Sequence, residues 1–371
     1  GMIYGTILGM KNLLSKIFGG DLDTFVGIDI GSSYIKVAQL RKTSGRIVLE
    51  TYGEVALGPY AELFAGEITN LPPEKLTEAL NNLLEQANVS AKDAVISVSS
   101  STSLIFILKL PNNIAKKNLA SVVQSEARKY IPIPLVEVSL DWWVIPGQDV
   151  YGQDSEDTGK MDVLVAAVRN ETVQKYGQVI SQLGKFSSPV YEIETFSSIR
   201  SAFNRELAPV LLIDTGASST RIAVIEHGII RKFYVVNRGS AYLTNSIKKS
   251  LEVDFKEAEL IKRKVGLDSE HENQEVYNII TAGVNFVFSE IQNVISDFEK
   301  DYKKPIRKIM LTGGGSLLKN YKEAIEAKYG IPAYYADPFD KAVSPEFLEE
   351  VLDSAGPEFS IAVGLALQGL E

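Results

Sequence analysis

The sequence predicts an α/β protein made of two related halves, with a small strand-and-helix block between them. Three observations carry this. A stretch of strand, aspartate, glycine-containing turn and second strand occurs twice, at residues 25–40 and 210–225. A block beginning near Ser103 alternates strands and helices and has no such turn. Beyond the second copy the chain turns helical, then offers a buried strand that runs into Gly313-Gly314-Gly315-Ser316 and a further helix.

Taken in order, residues 3–17 come first. Ile3, Ile7, Met10, Leu14 and Ile17 recur at three- and four-residue steps, with Lys11, Asn12, Ser15 and Lys16 elsewhere on the wheel. The pattern is a short amphipathic helix ending at Gly19-Gly20. It lacks a signal-peptide cleavage pattern. It would pack on the body of the protein, remain disordered, or dock on a membrane or partner, and Met10 offers a second start.

The first copy follows. Residues 25–30 read as a buried strand, Gly31-Ser32-Ser33 as a tight turn, and residues 35–40 as an alternating strand. By itself this reads equally well as an ordinary hairpin with a polar tip. The second copy shifts the balance. Asp29 matches Asp214, Gly31 matches Gly216, Ser33 matches Ser218, and Lys36 matches Arg221, each seven residues after its aspartate. Each copy runs on into another β-rich segment, so a three-stranded antiparallel unit is repeated. A repeat spaced this widely means two related halves, not a solenoid.

The duplicated turn has a physical use. Glycine lets the backbone approach a bulky anion, consecutive amides form a concave nest for phosphate oxygens, and serine hydroxyls add donors. An aspartate at the strand end is a poor phosphate ligand unless a divalent cation and its waters lie between the two. Two such turns face to face would clamp a polyphosphate from both sides.

Between the copies, residues 71–88 read as a helix opened by Pro72-Pro73, and residues 94–98 as a strand. A strand ends at Pro111. A helix over residues 115–130 places Leu119, Val122, Val123, Ala127 and Tyr130 on one face, and the following Ile-Pro-Ile-Pro stops it. The next strand carries Trp142 and Trp143, which as neighbours point to opposite faces, one toward a core and one as a candidate surface anchor. Residues 146–160 form an acidic, glycine-rich stretch that reads as a mobile loop. A strand over residues 161–168 and a helix ending at Gly184 complete the block.

After the second copy, residues 240–266 read as two helices broken near Val253-Asp254, and residues 276–302 as one long helix. The triple-glycine turn stands between a buried strand and a helix, where a flat ring could lie against side-chain-free backbone. Residues 357–369 read as a closing apolar helix.

Composition narrows the function. The chain has 371 residues, 45% of them hydrophobic and 23% charged, which is ordinary for a globular protein of two or more domains. It has no cysteine, so neither a disulfide framework nor a thiolate metal site can form. Its two histidines, His227 and His271, read as surface residues, not as a zinc site. The net charge of −9 argues against a general nucleic-acid binder. No run of about 18 apolar residues is present to span a membrane.

The order of these pieces resembles the actin/Hsp70/sugar-kinase superfamily, whose two duplicated α/β lobes hold ATP in the cleft between them. Its first phosphate motif matches Gly27-Ile28-Asp29-Ile30-Gly31-Ser32-Ser33 with Lys36. Its second matches residues 212–224, with Asp214, Gly216 and Thr220. Its adenosine motif matches residues 310–318, and its two connecting helices look like residues 191–203 and 359–369. Within the superfamily, residues 10–371 look most like the PilM family of type IV pilus assembly proteins, relatives of the division protein FtsA. The likeness lies in residues 11–19, in residues 126–145, and in the tail from Asp337-Pro338-Phe339 onward, although Gln368 stands where that family tends to carry arginine.

The resemblance implies an actin-like ATPase fold with an inserted subdomain, termed 1C. It divides the chain into an N-terminal amphipathic segment (residues 1–23), a first lobe (24–102 and 169–206) interrupted by 1C (103–168), a second lobe (207–355, with its 2B part at about 240–305) and a closing helix (356–371). It implies ATP with Mg²⁺, held through waters by Asp29 and Asp214. Gly31, Ser32, Ser33, Gly216, Ala217, Ser218 and Thr220 would line the phosphates, and Lys36 would neutralise them. Glu194 or Glu192 would orient water. Glu259 and Lys262, of the pattern Ala-Glu-x-x-Lys, and Gly313, Gly314, Gly315 and Ser316 would hold adenosine. Without the family context, the Lys- and Glu-rich helix reads equally well as a plain surface helix.

The implied role is an ATP-binding adaptor with at most slow hydrolysis. It would be cytoplasmic and peripheral to the inner membrane, docking the N-terminal tail of the membrane protein PilN in a groove bordered by 1C. Residues 11–15, Lys-Asn-Leu-Leu-Ser, carry a related pattern and could seat weakly in a neighbouring copy. Two alternatives stand beside this: an FtsA-like filament-forming division protein, and a small-molecule kinase of the same superfamily.

Overall fold

The computed structural model describes residues 24–146, 159–204, 206 and 208–371. The amphipathic segment expected over residues 3–17 and most of the acidic loop lie outside these residues.

The chain opens with β1 (Thr24–Ile30), β2 (Tyr34–Thr43), β3 (Arg46–Ala56), α1 (Pro73–Gln86) and β4 (Asp93–Val98). Next come β5 (Ser103–Pro111), α2 (Lys116–Ala127), β6 (Val138–Val144), β7 (Lys160–Arg169), α3 (Asn170–Leu183), β8 (Val190–Ile193) and α4 (Glu194–Ala202). The second half runs β9 (Val210–Thr215), β10 (Thr220–Glu226), β11 (Ile229–Val236), α5 (Ser240–Leu251), α6 (Phe255–Val265), α7 (Gln274–Tyr302), β12 (Lys308–Thr312), α8 (Tyr321–Tyr329), β13 (Ala333–Tyr335) and α9 (Glu349–Leu370).

The repeat extends beyond the two turns to whole sheets. One sheet has the order β3-β2-β1-β4-β8 and another the order β11-β10-β9-β12-β13. In each, a three-stranded antiparallel meander is followed by two parallel strands. The meander was legible from its alternation. The parallel pairings join segments distant in the chain, and local periodicity says nothing of them.

Helices cover both sheets for visible reasons. In α1, Leu76, Ala79, Leu80, Leu83 and Leu84 repeat at helical spacing and are all buried, and the prolines at its start lose no helical hydrogen bond. They pack with Val26, Ile28 and Ile96 and with Val179 and Ile180 of α3. So α3, read from the sequence as the last element of the middle block, packs on the first sheet. The break before α6 is a cap: Asp254 Oδ1 accepts from Glu257 N at 2.8 Å. The long α7 is capped likewise by Asn273, and its buried stripe from Val276 to Phe298 closes over β9, β10 and β12.

The middle block forms a third sheet, β5-β7-β6, with α2 on one face. Its other face packs on the second sheet through Ile105, Leu164 and Ala166 against Leu212, Ala223 and Ile225. The tryptophans point opposite ways, Trp142 into the α2 cluster and Trp143 toward the second sheet. Both are partly buried in clusters, so the expected surface anchor is instead a packing residue. Helix α2 stops at Ala127, short of the expected 130. Tyr130 is 56% exposed and stacks on Phe106 at 5.0 Å, while Ile131 takes the core position.

The closing helix starts earlier than expected. It begins at Glu349 and runs through Pro357 without interruption. It lies on β1, β2 and β4 through Phe359, Ile361, Ala362, Val363, Leu365 and Ala366. It also crosses α4 and reaches β12 and the 314–317 turn, so it touches both halves. Residues 191–193, read with the first connecting helix, belong to β8.

Candidate functional site

Between the first and second sheets lies a cavity of about 1090 Å³. Its walls come from both turns, from α5 and α6, and from the glycine turn after β12. Asp29, Gly31, Ser32, Ser33, Lys36, Glu194, Asp214, Gly216, Ala217, Ser218, Thr220, Glu259, Lys262, Gly313, Gly314 and Gly315 all line it. Ser316 does not. It is fully buried, and its hydroxyl donates to Gly313 O at 2.7 Å, closing the turn.

The two turns are built alike. Gly31 N donates to Tyr34 O at 3.0 Å, and Gly216 N to Ser219 O at 2.9 Å. Each aspartate ends a buried strand and faces a basic residue on the next, Asp29 opposite Lys36 and Asp214 opposite Arg221. The first turn is tied down by Ser33 O and Ser32 O, which accept from Leu57 N and Thr69 N, both at 2.9 Å. The second rests on the start of α5, whose Ser240 N and Ala241 N donate to Gly216 O at 2.9 Å and Ala217 O at 3.0 Å. Thr220 lines the wall, but its hydroxyl is engaged by Arg238 O at 2.8 Å.

The floor is an ionic cluster. Arg221 donates through Nη2 to Asp214 Oδ1 at 2.7 Å, and its Nη1 lies 2.9 Å from Glu194 Oε1. Ser100 N donates to that same Glu194 oxygen at 2.7 Å, and Ser198 Oγ to Asp214 Oδ2 at 3.1 Å. All three charged groups are buried. Burial and the neighbouring Glu194 push the Asp29 carboxyl up to about 7, against the pull of Lys36, Ser97 and Arg221. Lys36 turns toward Glu54 at 3.6 Å and Glu358 at 4.0 Å.

Of the two candidate water-orienting residues, only Glu194 lines the cavity. Glu192 is fully buried and bonded to Ser197 and, through both oxygens, to Arg200 at 2.8 Å, which makes it a structural anchor for α4.

On the other wall, Lys262 is 5% exposed. Its ammonium donates to Glu259 Oε2 at 2.7 Å and Thr244 Oγ1 at 2.9 Å. Burial lowers the Lys262 pKa, and Glu259 opposes that shift. Burial alone would raise Glu259, but Lys262, Arg263 and Thr244 outweigh it and hold the carboxyl below its usual value. Gly313 has φ +78°, and a Cβ there would lie 2.4 Å from Thr215 O and 2.6 Å from Asp214 Oδ1. Only glycine brings this turn against the second aspartate strand. Gly313 N donates to Pro357 O at 2.8 Å, joining the turn to α9.

Among the described residues, no group of three His, Cys, Asp or Glu side chains is placed to hold a metal. A cation here would take one or two carboxylates and complete its shell with water and ligand oxygens, the habit of Mg²⁺. The fit is supported by Asp29 Oδ1, which is buried without a hydrogen-bond partner.

Sequence reasoning missed three parts of the site. Arg221 was visible only as the counterpart of Lys36. Glu54 and Glu358, around Lys36, come from β3 and α9 and gave no local signal. Arg169, Thr172 and Lys175 extend the cavity wall toward α3.

Two lobes of repeated topology around one cleft are the actin-like ATPase fold. Residues 27–370 match the family described as type IV pilus assembly protein PilM, and the chain belongs to that family. A solved PilM-PilN type IV pilus biogenesis complex is 26% identical, with a TM-score of 0.77 over 93% of this chain and 98% of that one. The ethanolamine utilization protein EutJ from Carboxydothermus hydrogenoformans, 14% identical with a TM-score of 0.52 over 93% of this chain and 89% of its own, shares the fold. The cell division protein FtsA of Bacillus subtilis (strain 168) is 22% identical over 301 residues, which is 74% of this chain. The chain spans 66% of that relative's length.

Proposed function

We propose that the protein is a nucleotide-dependent adaptor of type IV pilus assembly, which binds Mg²⁺ and ATP in the cleft and docks the N-terminal tail of a PilN-type membrane protein beside the third sheet. The observation that carries this is the family match over nearly the whole chain, together with the likeness to a PilM-PilN complex. Among the described residues no helix is long and apolar enough to cross a membrane, which suits a protein that reaches the inner membrane from the cytoplasm through its partner.

The division of labour follows the walls. The amides of the two turns bind phosphate oxygens, and Lys36 offsets their charge. Asp29 faces the cation, which when bound screens the phosphate charge. Glu259, Lys262 and the 313–315 turn hold adenosine. The first lobe (24–102 and 169–206), 1C (103–168), the second lobe (207–355) and the closing helix (356–371) then act as bodies whose closure the nucleotide biases. Glu194 is held by Arg221 and Ser100, which fits slow hydrolysis.

For the partner tail, the seat lies where the third sheet meets the first lobe. Val136, 83% exposed, gives it apolar surface, while Tyr130 faces β11 on the other side of the block. Asn170, at the start of α3, holds that turn by donating to Val136 O at 2.9 Å. An extended peptide would use such pockets for side chains and backbone groups for register. Calorimetric titration of a PilN-type tail peptide carrying apolar residues next to Asn tests the reading. Saturable binding that changes with ATP and is lost in Val136→Asp supports it. Absence of binding to any platform-protein tail, with rapid ATP turnover, points instead to a kinase.

A further inference from the structure

We propose that the two turns have divided their work: Asp29 alone answers to the cation, while Arg221 withholds Asp214 from it and ties the second lobe to the first through Glu194. This rests on reading the cleft as a nucleotide site.

The duplication supplies an internal control. Asp29 and Lys36, and Asp214 and Arg221, occupy equivalent cross-strand positions in the two sheets, and cross-strand partners share a face. Their side chains then part ways. Lys36 leaves its aspartate for Glu54 and Glu358. Asp29 keeps Oδ1 buried and without a hydrogen-bond partner. Arg221 folds back on its own aspartate. One Asp214 oxygen accepts from Arg221, the other from Ser198. The same guanidinium reaches Glu194 at the head of α4, which leaves the first sheet. One aspartate therefore has an uncommitted oxygen and the other has none.

The commitment is durable. Guanidinium does not deprotonate in proteins, so Arg221 cannot step aside by losing a proton. Removing it from two buried carboxylates would leave both uncompensated, which is strongly unfavourable. The guanidinium lies close to the second turn, where a Cβ at Gly216 would stand 3.2 Å from Arg221 Nη2. That turn carries its own fixed positive charge where a second cation-bound carboxylate would otherwise stand.

The test is calorimetric binding of a non-hydrolysable ATP analogue to the full chain, in Mg²⁺ and in EDTA. The readout is the ratio of the two affinities. Asp29→Asn should collapse the ratio by about tenfold or more, a change of at least ~1.4 kcal/mol. Asp214→Asn should weaken binding in both conditions alike and hold the ratio within about threefold. Arg221→Gln releases Asp214, so in that background Asp214→Asn should now lower the ratio. Should Arg221→Gln fail to fold, the comparison of the two aspartates decides by itself. Equal loss of the ratio in Asp29→Asn and Asp214→Asn overturns the division. A wild-type protein that binds the analogue in neither condition overturns the nucleotide reading beneath it.

Discussion

Gly364 of α9 lies against the backbone of Ser197 in α4, so close that a Cβ at Gly364 would stand 2.0 Å from the Ser197 carbonyl oxygen. Arg200 secures the crossing by donating to Gly364 O at 3.1 Å while it holds the buried Glu192. The two helices that connect the lobes therefore meet at a point with no room for a side chain.

Gly364→Ala weighs two effects of opposite sign. Alanine in a helix interior is favoured over glycine by about 1 kcal/mol. Overpacking against rigid backbone costs about 1–3 kcal/mol, occasionally more. A contact of 2.0 Å with a carbonyl cannot be relieved by turning a side chain, so the clash wins. We expect a net loss of about 1–2 kcal/mol in urea denaturation. A gain in stability would show that α4 and α9 slide freely.

Asp29→Asn should stabilise the protein when no nucleotide is present. The folded carboxyl titrates at about 7, against 3.8 for the ordinary group. The folded state thus holds a proton that the unfolded state has released, and stability falls as pH rises from about 4 to about 7. Each unit of difference is worth about 1.4 kcal/mol, so the whole effect approaches ~4 kcal/mol. The melting temperature of wild type relative to Asp29→Asn should drop through this window and level off above it. Parallel pH profiles would refute the buried, uncompensated carboxyl.

The Glu259–Lys262 pair should respond unequally to loss of either partner. Lys262→Met leaves Glu259 with Arg263 at 2.8 Å and Thr244 at 2.7 Å. Glu259→Gln leaves a nearly buried ammonium without its counter-charge. Removing one partner of a buried pair costs about 3–5 kcal/mol when nothing replaces it. We expect Glu259→Gln to approach the lower end of that range and Lys262→Met to cost roughly half as much. Chemical denaturation of the two variants checks the order, and the reverse order would mean that Arg263 does not support Glu259.

Local spacing made the repeat legible, and with it most of the cleft. A strand, Asp, Gly and a polar turn must lie together in sequence to act together, so both turns could be read directly. What could not be read depends on partners from elsewhere. Glu192 and Glu194 sit two apart on neighbouring elements, and only the packing of Arg200 and Arg221 separates the buried anchor from the cavity residue. Tyr130 fits the apolar face of α2 by spacing, but the helix stops first and Ile131 fills the core. Pro357 argued for a helix start, yet α9 runs through it, and its carbonyl binds Gly313. Ser316 entered the site through the resemblance of residues 310–318 to an adenosine motif, but its hydroxyl is spent on Gly313 O.

The covering of the first sheet by α9 bears on how the chain acquires its structure. Phe25, Ala38 and Leu40 pack against residues 352–370, so the earliest strands wait for a helix some three hundred positions later in synthesis. Until then one face of β1 and β2 is bare apolar surface, and its closure is a long-range contact of the kind that slows folding and exposes the nascent chain to aggregation. The first lobe cannot mature as an independent vectorial unit; the ribosome must deliver nearly all of the second before the first is sealed.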